Sequence, residues 1–167
     1  MGKTLIIDLE DVILQGDILD VGEKNLGIIY NISKEAEDEL CLDYVCSDTK
    51  IELKDRQYDA CTFFFDLNKI WTSLEKEKLI KEISVYLKEC GEIFIWDINK
   101  ERGKVFNNKI KVILSNGKVK EFTFKNLNIL LSSNIQEIKK ILEKYFKIEE
   151  TKEWEDIFFI KGKKLSH

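Results

Sequence analysis

Along the chain, short apolar runs alternate with stretches in which apolar residues recur at helical spacing. This pattern predicts strands that alternate with helices. Four short apolar runs are typical of strands that are buried on both faces: residues 18–21, 41–47, 58–65 and 92–97. Between the last two runs, apolar residues recur at helical spacing from Leu74 to Leu87, behind the capping-box pair Thr72 and Glu75. Gly91 is expected to end this helix in a left-handed conformation.

The final third of the chain predicts antiparallel elements and one more helix. Apolar and polar residues alternate over residues 109–114 and 119–124, which indicates a β-hairpin. Residues 134–146 have the amphipathic period of a helix. Two further runs, residues 146–151 and 156–161, indicate closing strands. Asn116 and Gly117 favour the tight turn of the hairpin. Asn134 and Glu137 have the spacing of a helix cap.

The order of these elements predicts an α/β fold. Strands and helices alternate in the first two thirds of the chain, which favours a mostly parallel sheet with an antiparallel edge. Residues 3–15 are interpreted either as a short helix or as an edge segment before the first strand. Because no linker, repeat or change of composition interrupts the 167 residues, we expect one domain over residues 1–167.

Composition narrows the class of partner. The chain is 44% hydrophobic and 35% charged with a net charge of −4, so no basic face favours a nucleic-acid partner. No apolar run is long enough to span a bilayer and the first residues lack a secretory signal, so we expect no membrane partner and a cytoplasmic location. Abundant lysine, isoleucine and asparagine, with no proline, point to an AT-rich bacterial genome.

The cysteines and the histidine exclude several kinds of site. Cys41, Cys46, Cys61 and Cys90 form no Cys-x-x-Cys pair, and the single histidine is His167. A zinc site, a Cys-His pair and a Ser-His-Asp triad therefore lack the residues they need. We expect no metal, and reduced thiols that are mostly buried.

Four segments carry a family pattern: residues 18–22 (Ile-Leu-Asp-Val-Gly), 42–48, 58–65 and 87–97. In this order they resemble the class I S-adenosylmethionine (SAM) methyltransferases. The first is similar to the strand at the methionine end of the cofactor, and the second to the strand whose terminal acid contacts the adenine. The fourth is similar to the family's helix-turn-strand element, with Cys90 and Glu92 in place of its proline and glycine. The resemblance implies a Rossmann-like methyltransferase sheet and SAM as the candidate cofactor.

The resemblance also implies where the cofactor would be held. Its candidate contacts lie near the ends of the matching strands: Asp20, Gly22, Asn31, Asp48, Thr49 and Phe65. Asn31 stands where a ribose-binding acid is usual, and Asp48 where an acid accepts from the adenine amine. Asp66 and Asn68 follow the fourth strand on the substrate side, where Asp66 could act as a base and Trp71 could stack on a flat substrate. Each of these residues also has a purely structural interpretation, as a strand end, a helix cap or a solvated turn, and no catalytic residue is assigned.

The glycine-rich loop of the family is degraded in this chain. Glu23, Lys24 and Leu26 follow Gly22, at positions where glycines would let the backbone approach a ligand closely. The chain before the next family segment is also too short for an ordinary parallel crossover, which needs a dozen or more residues.

Two alignments accommodate this deficit. In the alignment that we prefer, residues 27–36 are the family's second strand and the helix after it, and the first crossover is missing. In the alternative, residues 25–40 are the first helix and residues 41–48 are the second strand, and a later unit is missing. Both predict that about one helix-strand crossover near the N-terminus has been lost.

Three functional hypotheses follow. The chain is a methyltransferase-like protein with impaired or lost SAM binding, which we prefer; or it is an active small-molecule methyltransferase with an unconventional cofactor site; or it binds a different small ligand. The first includes a non-catalytic binding module or partner subunit that retains the fold. A lost crossover should expose apolar sheet surface, which a protein partner or a second copy in a homodimer would cover. The cofactor is accordingly SAM or none, and the partner a small-molecule substrate or a protein.

Overall fold

The structure is a computed structural model that describes residues 2–22, 28–29, 41–45 and 53–166. Its strands and helices are, in chain order, β1 (Thr4–Asp8), β2 (Asp17–Val21), β3 (Cys41–Val45), β4 (Tyr58–Phe64), α1 (Ser73–Tyr86), β5 (Leu87–Ile98), β6 (Phe106–Ile113), β7 (Val119–Asn126), α2 (Ile135–Leu142), β8 (Phe146–Trp154) and β9 (Ile157–Lys164). A short 3-10 turn, Leu67–Lys69, lies between β4 and α1. The described residues therefore agree with the predicted α/β fold.

Six of the described strands form the main sheet, in the order β3-β2-β4-β5-β9-β8. The first four are parallel, and β9 and β8 run antiparallel at one side. β2 lies between β3 and β4, with Ile18 opposite Leu42 on one side and Ala60 on the other. The carboxyl ends of β2, β4 and β5 consequently meet at one edge of the main sheet, which is where open α/β sheets bind ligands.

Three strands form a separate small sheet in the order β1-β6-β7. The predicted hairpin is β6 and β7, and its turn is closed by a hydrogen bond of 2.8 Å from Leu114 N to Lys118 O. Gly117 has a φ of 79°, which a glycine adopts without strain. Residues 4–8, for which the sequence left a helix or an edge segment open, form β1 and pair in parallel with β6.

Different elements cover the two faces of the main sheet. Helices α1 and α2 cover one face, where Ile80 and Ile138 pack in one cluster with Phe63, Ile95 and Phe158. The small sheet covers the other face, and its residues share a second cluster with the strands beneath: Leu5, Ile7, Ile110, Val112, Ile18, Trp96 and Phe159. Burying apolar surface on both faces stabilises the sheet by about 25 cal/mol for each Å² removed from water.

The helix caps form as predicted, whereas the helix ends differ. Thr72 and Glu75 make a capping box at the start of α1. α1 ends at Tyr86 and the chain is extended from Leu87, so the prediction that Gly91 ends this helix is wrong. The left-handed residue is Cys90, with a φ of 63°. Gly91 instead meets a need for space, because a Cβ there would lie 2.9 Å from the carbonyl oxygen of Lys88.

The second helix is shorter than predicted. Asn134 caps α2 by accepting from Glu137 N at 2.8 Å. The helix ends at Leu142 rather than at residue 146, because Phe146 is buried at the start of β8. Burial of Phe146 in the sheet therefore overrides the helical period that extends to it in the sequence.

The structure also decides between the two alignments. Ile28 and Ile29 are helical, and β3 pairs directly with β2. The preferred alignment, which made residues 27–36 begin with a strand between these two, is therefore wrong. The described residues agree with the alternative, in which a helix follows β2 and residues 41–45 are the second parallel strand. Isoleucines fit either element in a sequence, and here Ile28 and Ile29 are buried with the cluster beneath the small sheet.

Candidate functional site

Asp20 lies at the carboxyl end of β2 and is the acid that the sequence placed in the cofactor site. Its side chain is 9% exposed, and its Oδ1 accepts a hydrogen bond of 2.8 Å from the Thr62 hydroxyl on β4. Burial raises the pKa of Asp20 to about 6, and the bond from Thr62 lowers it in part. A carboxyl group of this kind changes its charge close to neutral pH.

Gly22, directly after β2, is in close contact with a side chain of the protein itself. A Cβ placed on Gly22 would lie 2.3 Å from Oδ2 of Asp66 and 2.8 Å from its carboxyl carbon. Asp66 also forms an ion pair with Lys69, with 3.7 Å between the charged atoms. The φ of Gly22 is not in the left-handed region. Gly22 is therefore a glycine for reasons of space, and the Asp66 carboxylate is what occupies the space.

Asp66 belongs to the edge turn, which we define as residues 65–69 after β4. Its first residue, Phe65, has a φ of 61°, an uncommon conformation that costs a bulky residue roughly 1–2 kcal/mol. Phe65 N donates to Trp96 O at 2.8 Å, and the Phe65 ring lies 5.0 Å from the Phe124 ring of the small sheet. Contacts with two other elements thus hold the turn in its strained conformation.

A buried polar network fixes the other end of the edge turn. Asp97, at the end of β5, is 0% exposed and accepts from Asn68 N at 3.1 Å, Asn68 Nδ2 at 2.7 Å and Ile98 N at 2.8 Å. Asn68 Nδ2 also donates to Phe65 O at 2.8 Å. Asn126, the last residue of β7, donates from Nδ2 to Asn68 Oδ1 at 2.8 Å. Burial raises the pKa of Asp97 to about 6, against the opposing effect of these hydrogen bonds.

The structure brings some of the predicted site residues together and gives others a different setting. Asp20 and Gly22 lie at the predicted edge, and Asp66 lies against Gly22. Phe65 is only 2% exposed and packs in the core beneath the small sheet. Asn68 is buried and bonded to Asp97, whereas Trp71 is 60% exposed. Three predicted contacts lie outside the described residues: Asn31, Asp48 and Thr49.

Sequence reasoning missed the roles of Asp97 and Asn126. Asp97 was visible as an acid that closes the apolar run at residues 93–96, and a charged residue in such a position needs partners. Its partners, Asn68 and Asn126, are remote in sequence and carry no motif. The position of Asn126 at the end of a predicted hairpin gave no indication that it reaches the main sheet.

The described part of the chain contains no metal-binding group and no membrane-spanning helix, and the buried thiol of Cys61 is not activated. Within residues 2–22, 28–29 and 53–166, no group of histidine, cysteine and acidic side chains could hold a metal ion. Over the described residues, no helix is both long and apolar enough to cross a membrane. Cys61 is buried and Cys90 is exposed, and neither forms a disulfide. Burial, with Asp20 nearby, raises the pKa of the Cys61 thiol well above its ordinary value, so Cys61 is not an activated nucleophile.

Comparison with known proteins gives matches in structure and none in sequence. No protein-family model matches the sequence, and no curated protein is similar to it. The chain is similar to the crystal structure of the PH0226 protein from Pyrococcus horikoshii OT3, with a TM-score of 0.63 and 13% identity over 94% of this chain and 85% of that one. It is also similar to a SAM-dependent methyltransferase from Clostridium acetobutylicum ATCC 824, with a TM-score of 0.58 and 15% identity over 93% and 86% of the two chains.

A third similar structure comes from another bacterium. A SAM-dependent methyltransferase from Aquifex aeolicus has a TM-score of 0.58 and 15% identity, over 89% of this chain and 82% of its own. At such identities the likeness concerns the fold, and function has to be argued from the site. Together with the order of the main sheet, it establishes that this chain has the fold of the class I SAM-dependent methyltransferases.

Proposed function

We propose that this protein retains the methyltransferase sheet but no longer binds SAM in the way that the fold ordinarily allows. The contact between Asp66 and Gly22 carries the proposal. In Rossmann-type sites a glycine after the first strand lets the backbone come close to the ligand. Here the Asp66 carboxylate lies in that space, with Oδ2 2.3 Å from the position of a Gly22 Cβ. The residues present at this point do not fit the cofactor, which would have to displace Asp66.

Charge is the other part of this argument, and it weighs less than space. The amino-acid end of SAM carries an ammonium group as well as a carboxylate, so the Asp66 carboxylate repels one group and attracts the other. The Asp66 side chain is 16% exposed, so solvent screens both interactions weakly. Lys69 neutralises part of the Asp66 charge, but at 3.7 Å it makes no close hydrogen bond.

A lost structural unit is the second argument for an impaired site. We propose that the missing unit is the family's third strand with its helix, rather than the first crossover. Among the described residues, β3 is the terminal strand on its side of the main sheet. The chain then has to cross β2 between Val45 and Tyr58, a short distance for a parallel crossover. Without the third strand, the support for the adenine end of a cofactor is reduced.

A non-catalytic role suits this geometry best. A protein that keeps the fold without the cofactor can act as a binding module or as a subunit beside an active enzyme. The outer edge of β3, with which no other described strand pairs, would then be the surface that a protein partner or a second copy of the chain covers, because such an edge favours pairing. The other candidate, an active small-molecule methyltransferase, is supported by Asp20, since a buried carboxyl group with a pKa of about 6 suits proton transfer.

Calorimetric titration with SAM and with S-adenosylhomocysteine (SAH) tests the proposal. The variants are Asp66→Ala, which removes the carboxylate, and Asp66→Asn, which keeps its size without its charge. Glu101→Ala, on the exposed surface, is the control. We expect no measurable heat from the unmodified protein at millimolar ligand. Asp66→Ala should bind SAH at least about tenfold more tightly, since the obstacle to close approach is gone.

The two Asp66 variants separate space from charge. If bulk is the obstacle, Asp66→Asn stays as weak as the unmodified protein, and if charge is the obstacle it binds as Asp66→Ala does. The proposal is wrong if the unmodified protein binds SAM at micromolar concentration and Asp66→Ala weakens that binding. Asp66 would then be a ligand for the α-ammonium group of SAM.

A further inference from the structure

Strand β7 of the small sheet contacts the edge turn mainly through Phe124 and Asn126, while the Phe122 ring lies farther away, 6.2 Å from the Phe65 ring. The Phe124 ring lies 5.0 Å from the Phe65 ring. Asn126 donates from Nδ2 to Asn68 Oδ1 at 2.8 Å and to the Asn68 carbonyl at 3.3 Å. These contacts come from the hairpin of β6 and β7, which belongs to a different sheet from β4 and β5. The edge turn is therefore held between the main sheet and the small sheet.

The contacts from β7 are made to residues on either side of Asp66 in the turn. Phe65 precedes Asp66 and has the left-handed φ of 61°, and Asn68 follows two residues later with three hydrogen bonds to its side chain. A strained φ persists only where surrounding contacts determine it. Asn126 is itself buried, at 7% exposure, and its Oδ1 accepts from Asn128 N, so it has little freedom to move away.

We infer that Phe124 and Asn126 of β7 are positioning residues that hold Asp66 against Gly22. This inference rests on the proposed function, because it gives the mechanism by which the cofactor side of the edge is kept closed. A displacement of β7 removes the Phe124 ring from Phe65 and the Asn126 amide from Asn68 Oδ1 together, which weakens the hold on the edge turn and lets the Asp66 carboxylate move from Gly22. The position of the small sheet and the openness of Gly22 to a ligand are thus coupled by one set of contacts.

Hydrogen exchange measured by mass spectrometry tests the positioning directly. The variants are Asn126→Ala, which removes the amide, and Phe124→Leu, which shortens the ring contact. Lys125→Ala, the exposed residue between them, is the matched control. We expect exchange in the edge turn, residues 65–69, to quicken by at least about tenfold in both variants, with β9 unchanged, because local opening follows the loss of local contacts. Unchanged exchange in the edge turn, in variants that remain folded, would overturn the inference.

A double-mutant cycle in SAH binding tests the connection to Asp66. Asn126→Ala alone should tighten SAH binding, as Asp66→Ala does, and it should change affinity less than about twofold once Asp66 is already alanine. If Asn126 merely supports the fold, Asn126→Ala alone would leave SAH binding undetected and would weaken it in the Asp66→Ala background, which would contradict the inference. If Asp66→Ala leaves SAH binding unchanged, the proposed function fails, whereas the exchange of residues 65–69 still decides whether β7 positions the turn.

Discussion

Two buried carboxyl groups at the same edge of the sheet differ in what surrounds them. Asp20, at the end of β2, accepts a hydrogen bond from the Thr62 hydroxyl and remains 9% exposed. Asp97, at the end of β5, accepts three N–H groups and is fully buried. Burial raises the pKa of each to about 6. The same pKa thus accompanies two situations, an acid with acceptor capacity to spare and an acid committed to the chain's own backbone and amides.

This difference shows that a raised pKa alone does not identify a catalytic acid. Asp97 is accounted for by its structural task, which is to fix Asn68 and with it the edge turn. Among the described residues, the Asp20 side chain is bonded to the Thr62 hydroxyl, which can follow either charge state by turning its proton. Substitution of each acid by its amide should therefore lower the stability by very different amounts.

The largest effect is expected for Asp97→Asn. In either orientation of the new amide, its NH2 group faces an N–H donor of Asn68 or Ile98, so a buried donor loses its acceptor. We expect a loss of about 3 kcal/mol in the free energy of unfolding, measured by urea denaturation. Asp20→Asn should cost less than about 0.5 kcal/mol, because the amide oxygen still accepts from Thr62. Equal losses of unfolding free energy from the two substitutions would show that Asp20 and Asp97 do not differ in this way.

The next effect concerns the closed space at Gly22. Gly22→Ala should cost about 1 kcal/mol, the low end of the range for overpacking, because the atoms that its Cβ meets are the movable end of the Asp66 side chain. In the Asp66→Ala background the same substitution should be close to neutral. Thermal unfolding of the unmodified protein, the two single variants and the double variant gives the coupling free energy between Gly22 and Asp66. A Gly22→Ala penalty that persists without the Asp66 carboxylate would mean that something else fills the space.

The last effect is the pH dependence that Asp20 contributes. Its pKa is about 6 when folded and its ordinary value is 3.8, so the folded state binds more protons between these values. The stabilising contribution is therefore complete below pH 3.8 and is lost as the pH rises through 6. Moving from about pH 7.5 to about pH 5 should stabilise the unmodified protein by roughly 1 kcal/mol more than Asp20→Asn. Identical pH profiles would show that Asp20 is not buried in this way.

Local features of the fold could be predicted from the sequence. The capping box of Thr72 and Glu75 and the turn at Asn116 and Gly117 depend on neighbouring residues, and each forms in the structure. The alignment of the first helix was ambiguous, because apolar residues near Ile28 satisfy a strand and a helix equally well. Pairing between β2 and β3 resolved it, and pairing is not a local property.

The candidate site was harder to predict, because its contacts are long-range. The bonds from Asn68 to Asp97 and from Asn126 to Asn68 join residues 29 and 58 positions apart. Gly22 could be recognised as a glycine that the fold uses for close approach. Whether a ligand or the chain's own Asp66 makes that approach depends on the course of the turn after β4, which no motif specifies.

A crystal structure of the unmodified protein grown with millimolar SAH tests the central claim most directly. The claim predicts that the Asp66 carboxylate remains in contact with the Gly22 Cα, with no adenosyl ligand along the end of β2. An SAH molecule lying against Gly22 in the usual pose of the methyltransferases, with Asp66 turned away or bonded to its ammonium group, would contradict it.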